Sequence, residues 1–362
     1  MAYPGKRDDM VVHEQDPYNA ETAPEVLAAS AVTPVDAFYS RNHGPVPELD
    51  PATWRLEVDG LVGTPTSFTL KDLRRDFEQH ELTATMQCAG NRRAGLAAVA
   101  PIPGEALWDV GTIGTARWAG ARLADVLAAV GVADGATDVV MDASDVSQQP
   151  VPPETYGSSI PVHKALRPEV LLAWQMNDAP LTAAHGAPVR VVVPGYVGAR
   201  SVKWVRRVTL QDHPSEHYFQ ATAYRVLPPS ADAAAAGPGD GISLGPWSLT
   251  SAILVPADGD RPAPGRTRVR GYALAPEHRS VERVDVSVDG GATWAAAVLE
   301  HHGPWAWTTW HLDVDLAAGH HEVVARAWDD SATVQPSDPA SLWNPKGYAN
   351  SSWPRVAVDV RG

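Results

Sequence analysis

The sole cysteine of the chain, Cys88, stands in the run Thr85-Met-Gln-Cys-Ala-Gly-Asn-Arg-Arg93, just ahead of two arginines and beside a glycine. Nearby guanidinium charge favours the thiolate, the form in which cysteine ligates metals or attacks electrophiles. A lone thiol is equally compatible with an inert, buried apolar side chain. Arg92 and Arg93 weigh against that alternative, because cations have little reason to flank an apolar site. A zinc centre is disfavoured: one cysteine with dispersed histidines lacks the paired spacing such a site needs. No carboxylate cage for a hard cation is apparent, whereas soft sulfur suits an electron-transferring transition metal. A thiol nucleophile stays open. His301-His302 and His320-His321 read as surface or packing residues, since successive strand residues point to opposite faces and cannot readily chelate one ion.

A second group of residues suits an anion. Arg190 and Lys203 flank Gly195 and Gly198, and could supply charge-assisted donors to a phosphate while the glycines admit backbone amides. The segment GYVGAR matches neither a P-loop nor a GxGxxG pattern, and solvated strand cations are the alternative reading. The chain as a whole is acidic, with 43 Asp and Glu against 29 Lys and Arg and a formal net charge of −14. That balance argues against nucleic acid or an anionic membrane as partner, so an anionic substrate requires a local basic pocket. One cysteine excludes an intrachain disulfide, the opening residues lack a signal-peptide core, and no run approaches about 18 apolar residues. A cytoplasmic protein is expected.

These residues need positioning elements. At 362 residues, with 44% hydrophobic and 20% charged residues, the chain is long enough for two domains. Residues 1–50 are rich in Pro, Asp and Asn and suggest an extended arm over the first domain. Trp54–Gly60 reads as a strand, and Thr69 to Asp72 as a capping box ahead of Leu73 and Phe77. Ala121–Val130 reads as an amphipathic helix stopped by Gly131. Thr137–Asp142 and Val189–Val193 read as buried strands, and Ser201–Leu210 as a strand with Val202, Trp204, Val208 and Leu210 on one face. The stretch 228–241, PPSADAAAAGPGDG, is the candidate boundary. Beyond it the helical signal ends. Val281–Val288 alternates into an Asp289-Gly290 turn before Trp294, and Thr267–Ala273, Trp307–Leu312, His321–Trp328 and Arg355–Val360 fit further strands of a sandwich. The expected organisation is an α+β domain over 1–230 and an all-β immunoglobulin-like domain over 242–362.

MQCAGNRR resembles the metal-binding signature of the sulfite oxidase family, which includes eukaryotic nitrate reductase. FYSRNHGPVP (38–47), TARWAGARLADVL (115–127), MNDAPLTAAHGAPVRVVVPGYVGARSVKW (176–204), VDGGATW (288–294) and AWDDSATVQP with WNPKGY (327–348) resemble family segments in the same order. The resemblance implies a mixed α/β molybdenum cofactor domain, with molybdenum held by a pyranopterin dithiolate (molybdopterin) and the Cys88 thiolate. It implies cofactor contacts from Phe38, Arg41, Asn42, His43, Asp145, His185, Arg190, Ser201, Val202 and Lys203. It implies a substrate pocket of Arg41, Arg93, Trp108 and Tyr224, in which arginine forks bind a small oxyanion. In WNPKGY, Lys346 stands where sulfite-oxidising relatives tend to carry arginine; lysine keeps the charge and loses the fork. The expected reaction is oxidation of sulfite to sulfate, with electrons passing to a separate cytochrome or dioxygen, since no haem or flavin segment is recognised. Reduction of nitrate or a sulfoxide at the same centre is the rival within the family. A non-catalytic binding protein is the rival outside it. The family's sandwich implies a homodimer.

Overall fold

In the computed structural model, which describes residues 3–361, the apolar runs of the first two thirds of the chain form two five-stranded sheets. One sheet pairs His80–Gln87 with Ile113–Arg122, which pairs in turn with Leu171–Met176, and Arg190–Val192 joins beside the last. The other runs from Thr66–Thr69 through Arg55–Gly60, Val205–Gln211 and Asp138–Ser147 to Glu154–Pro161. Within it, Val205–Gln211 lies parallel to Arg55–Gly60 and antiparallel to Asp138–Ser147. Leu56, Leu123, Val126, Met141, Leu172, Val191 and Val208 from these elements share one buried apolar cluster. Each such side chain contributes roughly 1.5–3 kcal/mol on leaving water.

Local signals explain most element ends. The Thr69 hydroxyl accepts from the Asp72 amide while the Asp72 carboxylate accepts from the Thr69 amide, so the capping box opens the helix Leu70–Asp76. The helix ending at Gly131 begins at Leu123, later than expected, because Ala121 and Arg122 stay paired to Leu172 and Leu171 as the end of a strand. The strand expected from Ser201 begins only at Val205. Trp204 takes φ 49°, a left-handed conformation that cannot continue a strand. Residues Ser201 to Lys203 are thereby turned out of the sheet.

The N-terminal arm is more ordered than expected and also reaches the second domain. It forms the hairpin Val11–Gln15 with Tyr18–Glu21 and the helix Pro24–Ala29. Leu27 packs with Tyr272 and Trp307, and the Trp307 indole donates to the Ala31 carbonyl at 3.0 Å.

The C-terminal strands form two four-stranded antiparallel sheets. Val281–Ser287 buries Val284 and Val286 as its alternation predicts. After the Asp289 turn, however, only Ala295–Ala296 pair with it, and the chain crosses to the other sheet as Val298–His301. His301 and His302 bond Thr308 and Thr309, while His320 and His321 bond Asp359 and the Ala317 carbonyl. Residues 343–352 leave the sandwich and return to the first domain. Ala349 donates to the Ala89 carbonyl at 3.0 Å and Asn350 to the Arg92 carbonyl at 2.8 Å. Among the described residues, no helix is long and apolar enough to cross a membrane.

Candidate functional site

Cys88 follows directly on the strand His80–Gln87. Its amide donates to the Thr112 carbonyl at 2.9 Å, and its own carbonyl accepts from Asn91 at 3.0 Å, which closes a tight turn. Gly90 is required in that turn: a Cβ there would lie 2.7 Å from the Arg93 guanidinium carbon. The guanidinium therefore lies flat against the backbone of the cysteine turn. Its Nε donates to the Lys346 carbonyl at 2.9 Å and Nη1 to the Ala106 carbonyl at 2.8 Å, while Nη2 is 3.3 Å from Glu105. Gly347, at φ 59°, leaves room for the arginine stem. Burial pushes the Cys88 thiol above its usual range, and this outweighs Arg93, the Gly90 amide and Arg41, which all act downward. Arg93 and Arg41 thus favour the thiolate, as their charge leads one to expect, against the opposing desolvation of a buried thiol.

Cys88 opens onto a cavity whose lining includes Phe38, Arg41, Asn42, His43, Asp145, His185, Arg190, Ser201, Lys203 and Tyr224. These come from the arm, the two sheets and the turn that Trp204 creates. The far end is cationic. Arg190 sits over the Trp118 ring at 5.0 Å and donates to the carbonyls of His185 and Ser201, each at 3.1 Å. Lys203 bonds Asn42 and the Ala184 carbonyl and lies over the Trp204 ring. Burial lowers Arg190 to about 10 and Lys203 well below its ordinary value. Neither has a carboxylate within ion-pair distance among the described residues. Asp145 is also buried, its carboxyl pushed up to about 6 by desolvation against the pull of Lys203, and its Oδ1 has no hydrogen-bond partner. Unneutralised cations beside an orphaned acceptor fit a ligand that is anionic at one point and carries N–H donors at another. A phosphorylated pterin has that chemistry.

At the Cys88 end, the Tyr224 hydroxyl lies 2.8 Å from His43 Nε2. Burial keeps both neutral, raising the phenol and lowering the imidazole, the latter with help from Arg41 and Lys203. Arg41 bonds the Asn42 carbonyl.

Four expected residues are not among those lining this cavity. Arg93 packs against Gly90 in the Cys88 turn, with its guanidinium bonded to the Lys346 and Ala106 carbonyls. Trp108 is fully buried with its ring 4.4 Å from that of His13. Val202 contributes through its backbone, whose carbonyl accepts from Val191 at 2.8 Å. Lys346 is buried, and the atom tied to Arg93 is its carbonyl oxygen. Conversely, the structure adds residues that were not expected at the site. Tyr39, Met86 and Tyr156 line the cavity. Lys6, far off in sequence, donates to Val35 and Phe38 carbonyls at 3.1 and 2.6 Å and contacts His185 Nε2 at 2.7 Å. In its ammonium form Lys6 uses all three donors there, which leaves the His185 proton on Nδ1. Lys6 carried no local signal, because its partners are assembled by the arm.

Residues 43–219 match the family model of the oxidoreductase molybdopterin binding domain, and residues 246–361 that of the Mo-co oxidoreductase dimerisation domain. The chain is similar to mitochondrial sulfite oxidase of Homo sapiens, at 43% identity over 99% of this chain and 67% of that protein. It is similar to sulfite oxidase of Arabidopsis thaliana, at 37% identity over 98% of this chain and 95% of that protein. Among solved structures it resembles the sulfane dehydrogenase SoxCD of Paracoccus pantotrophus, with a TM-score of 0.81 and 27% identity over 99% of this chain and 90% of that one.

Proposed function

The chain belongs to the sulfite oxidase family of molybdopterin-dependent oxidoreductases, and from that premise we propose that it oxidises sulfite to sulfate with release of two electrons and two protons. The sulfite oxidases of Homo sapiens and Arabidopsis thaliana are similar to it over nearly the whole chain. The observation that carries the reading is that Arg41 and Tyr224 line the cavity into which Cys88 opens, with the Arg93 guanidinium packed against the Cys88 turn. Cys88 would ligate molybdenum through sulfur. Arg190, Lys203 and His185 would hold the phosphate end of molybdopterin, Asp145 its N–H groups, and Phe38, Asn42, His43, Ser201 and Val202 its remaining surface. Bound molybdenum supplies the oxygen-atom transfer and takes up both electrons.

The protein's own part is orientation and charge. Arg41 and Arg93 would fix two oxygens of the anion, with Arg93 held in place by the Lys346 carbonyl. Tyr224, kept neutral by burial, can donate its one O–H to a substrate oxygen when the neutral His43 donates from Nε2 to the phenol oxygen. The electrons leave to an external acceptor, a cytochrome or dioxygen. Residues 1–230 would form the catalytic unit and 242–362 the pairing unit of a homodimer, in line with the dimerisation model that the latter matches. Light scattering should then give twice the mass of one chain.

Purified protein should contain about one molybdenum and one pterin per chain and oxidise sulfite with an artificial one-electron acceptor. Cys88→Ser should abolish turnover, since an alkoxide is a harder and poorer ligand for this centre. Activity in molybdenum-free protein would overturn the proposal. Turnover of nitrate or a sulfoxide with a reduced dye, and none of sulfite, would leave the cofactor and remove the oxidase.

A further inference from the structure

Arg93 differs from Arg41, the other arginine expected to grip substrate, in having a carboxylate partner already. Glu105 Oε2 lies 3.3 Å from Arg93 Nη2, in a loop whose next residue, Ala106, accepts from Arg93 Nη1 at 2.8 Å. The Arg93 side chain is 3% exposed and that of Glu105 23%, so the carboxylate is the water-facing member of the pair. The Arg93 guanidinium packs against Gly90 in the turn that carries Cys88, which places the Glu105 carboxylate one guanidinium away from that turn.

We propose that Glu105 is a specificity-determining residue that shares Arg93 with the incoming oxyanion and sets the pocket to hold singly charged anions and release doubly charged ones. This rests on the anion pocket described under the proposed function. Coulomb repulsion scales with the product of charges, so Glu105 opposes a dianion about twice as strongly, in free energy, as a monoanion. A factor imposed on a monoanion's affinity is therefore roughly squared for a dianion. For oxidation of sulfite, the substrate exists partly as the hydrogen-bearing monoanion near neutral pH and the product is the sulfate dianion. The carboxylate thus speeds departure of product at a smaller cost to substrate. Specificity here comes from a repulsive element built beside the attractive one.

The test is calorimetric binding of sulfate and of nitrate to the oxidised holoenzyme at fixed ionic strength, comparing the natural protein with Glu105→Gln and Glu105→Ala. Both variants should keep their molybdenum, bind sulfate about tenfold more tightly and nitrate about threefold more tightly, and show correspondingly stronger product inhibition. An unchanged ratio of sulfate to nitrate affinity overturns the proposal. So does weaker binding of both anions, which would make Glu105 a mere prop for Arg93. Binding is measured without turnover, so the two readings fail separately. The expected shift without sulfite oxidation removes the oxidase assignment alone, and sulfite oxidation without the shift removes the role of Glu105 alone.

Discussion

At the end of the cavity bounded by Arg190, Lys203 and His185, buried cations rest on carbonyls and aromatic faces and have no carboxylate within ion-pair distance among the described residues; at the Cys88 end, Arg93 is paired with Glu105. A third arrangement lies at the domain junction. There Lys164 is buried between Glu169 at 2.8 Å and Glu277 at 2.5 Å, with its charge fully answered by the protein. An uncompensated buried cation is costly and persists where something else neutralises it. The first end therefore suits an anion that stays, a cofactor phosphate. The second suits an anion that comes and goes, because the arginine keeps a partner whenever substrate is absent. Lys164 suits no ligand and fastens one domain to the other.

The largest effect that would break this comparison is expected at the permanent end. Arg190→Met should lower cofactor content or affinity by roughly ten- to a hundredfold, since a charge-assisted hydrogen bond to phosphate contributes about 1.5–3 kcal/mol. Elemental analysis and pterin fluorescence after acid release measure it, and full cofactor content would remove the distinction between the two ends. At the exchanging end, Arg93→Gln should leave molybdenum nearly intact while depressing kcat/KM for sulfite by about ten- to a hundredfold. Steady-state kinetics beside metal analysis separate the two variants. Equal loss of cofactor in both would merge the ends into one.

A smaller effect concerns pH. Burial lowers Lys6 from 10.5 to about 7, so between those values the folded, cofactor-free protein binds fewer protons at this site than the unfolded chain. Stability should therefore rise with pH from about 7 to 10.5, by at most ~1.4 kcal/mol per pH unit from this group. Denaturant melts of cofactor-free protein should show that slope reduced in Lys6→Met; an identical slope would place Lys6 outside the balance. The smallest change expected is at Lys346. Lys346→Arg should lower KM for sulfite a few-fold if the side chain bounds the substrate, because the fork restores a second donor. An unchanged KM would leave Lys346 acting through the carbonyl that holds Arg93.

Sequence patterns found the chemistry more readily than the geometry. The alternation of Val284 and Val286 and the capping pair Thr69 and Asp72 are local, and each appears where its spacing placed it. The beginning of the strand at Val205 was not legible, because an apolar face runs unbroken through Val202 and Trp204 and only the left-handed Trp204 stops it. The helix before Gly131 is two residues shorter than its periodicity predicts for a related reason: pairing with Leu171 and Leu172 overrides helical periodicity at Ala121 and Arg122.

By itself the sequence determined which residue is the soft ligand, since Cys88 has no competitor of its type, and which residues bring positive charge to it. It also determined the two architectures, because alternation and interleaved helices are properties of neighbouring residues. Only the tertiary structure decided which of those charges are answered. Lys6 and the Lys346 carbonyl reach His185 and Arg93 across long stretches of chain, and Glu105 reaches Arg93 through a loop; no periodicity records such contacts. Burial of Cys88 was decided there as well: the arginines beside it are visible in the sequence, but its enclosure arises only when the chain folds around the cysteine turn.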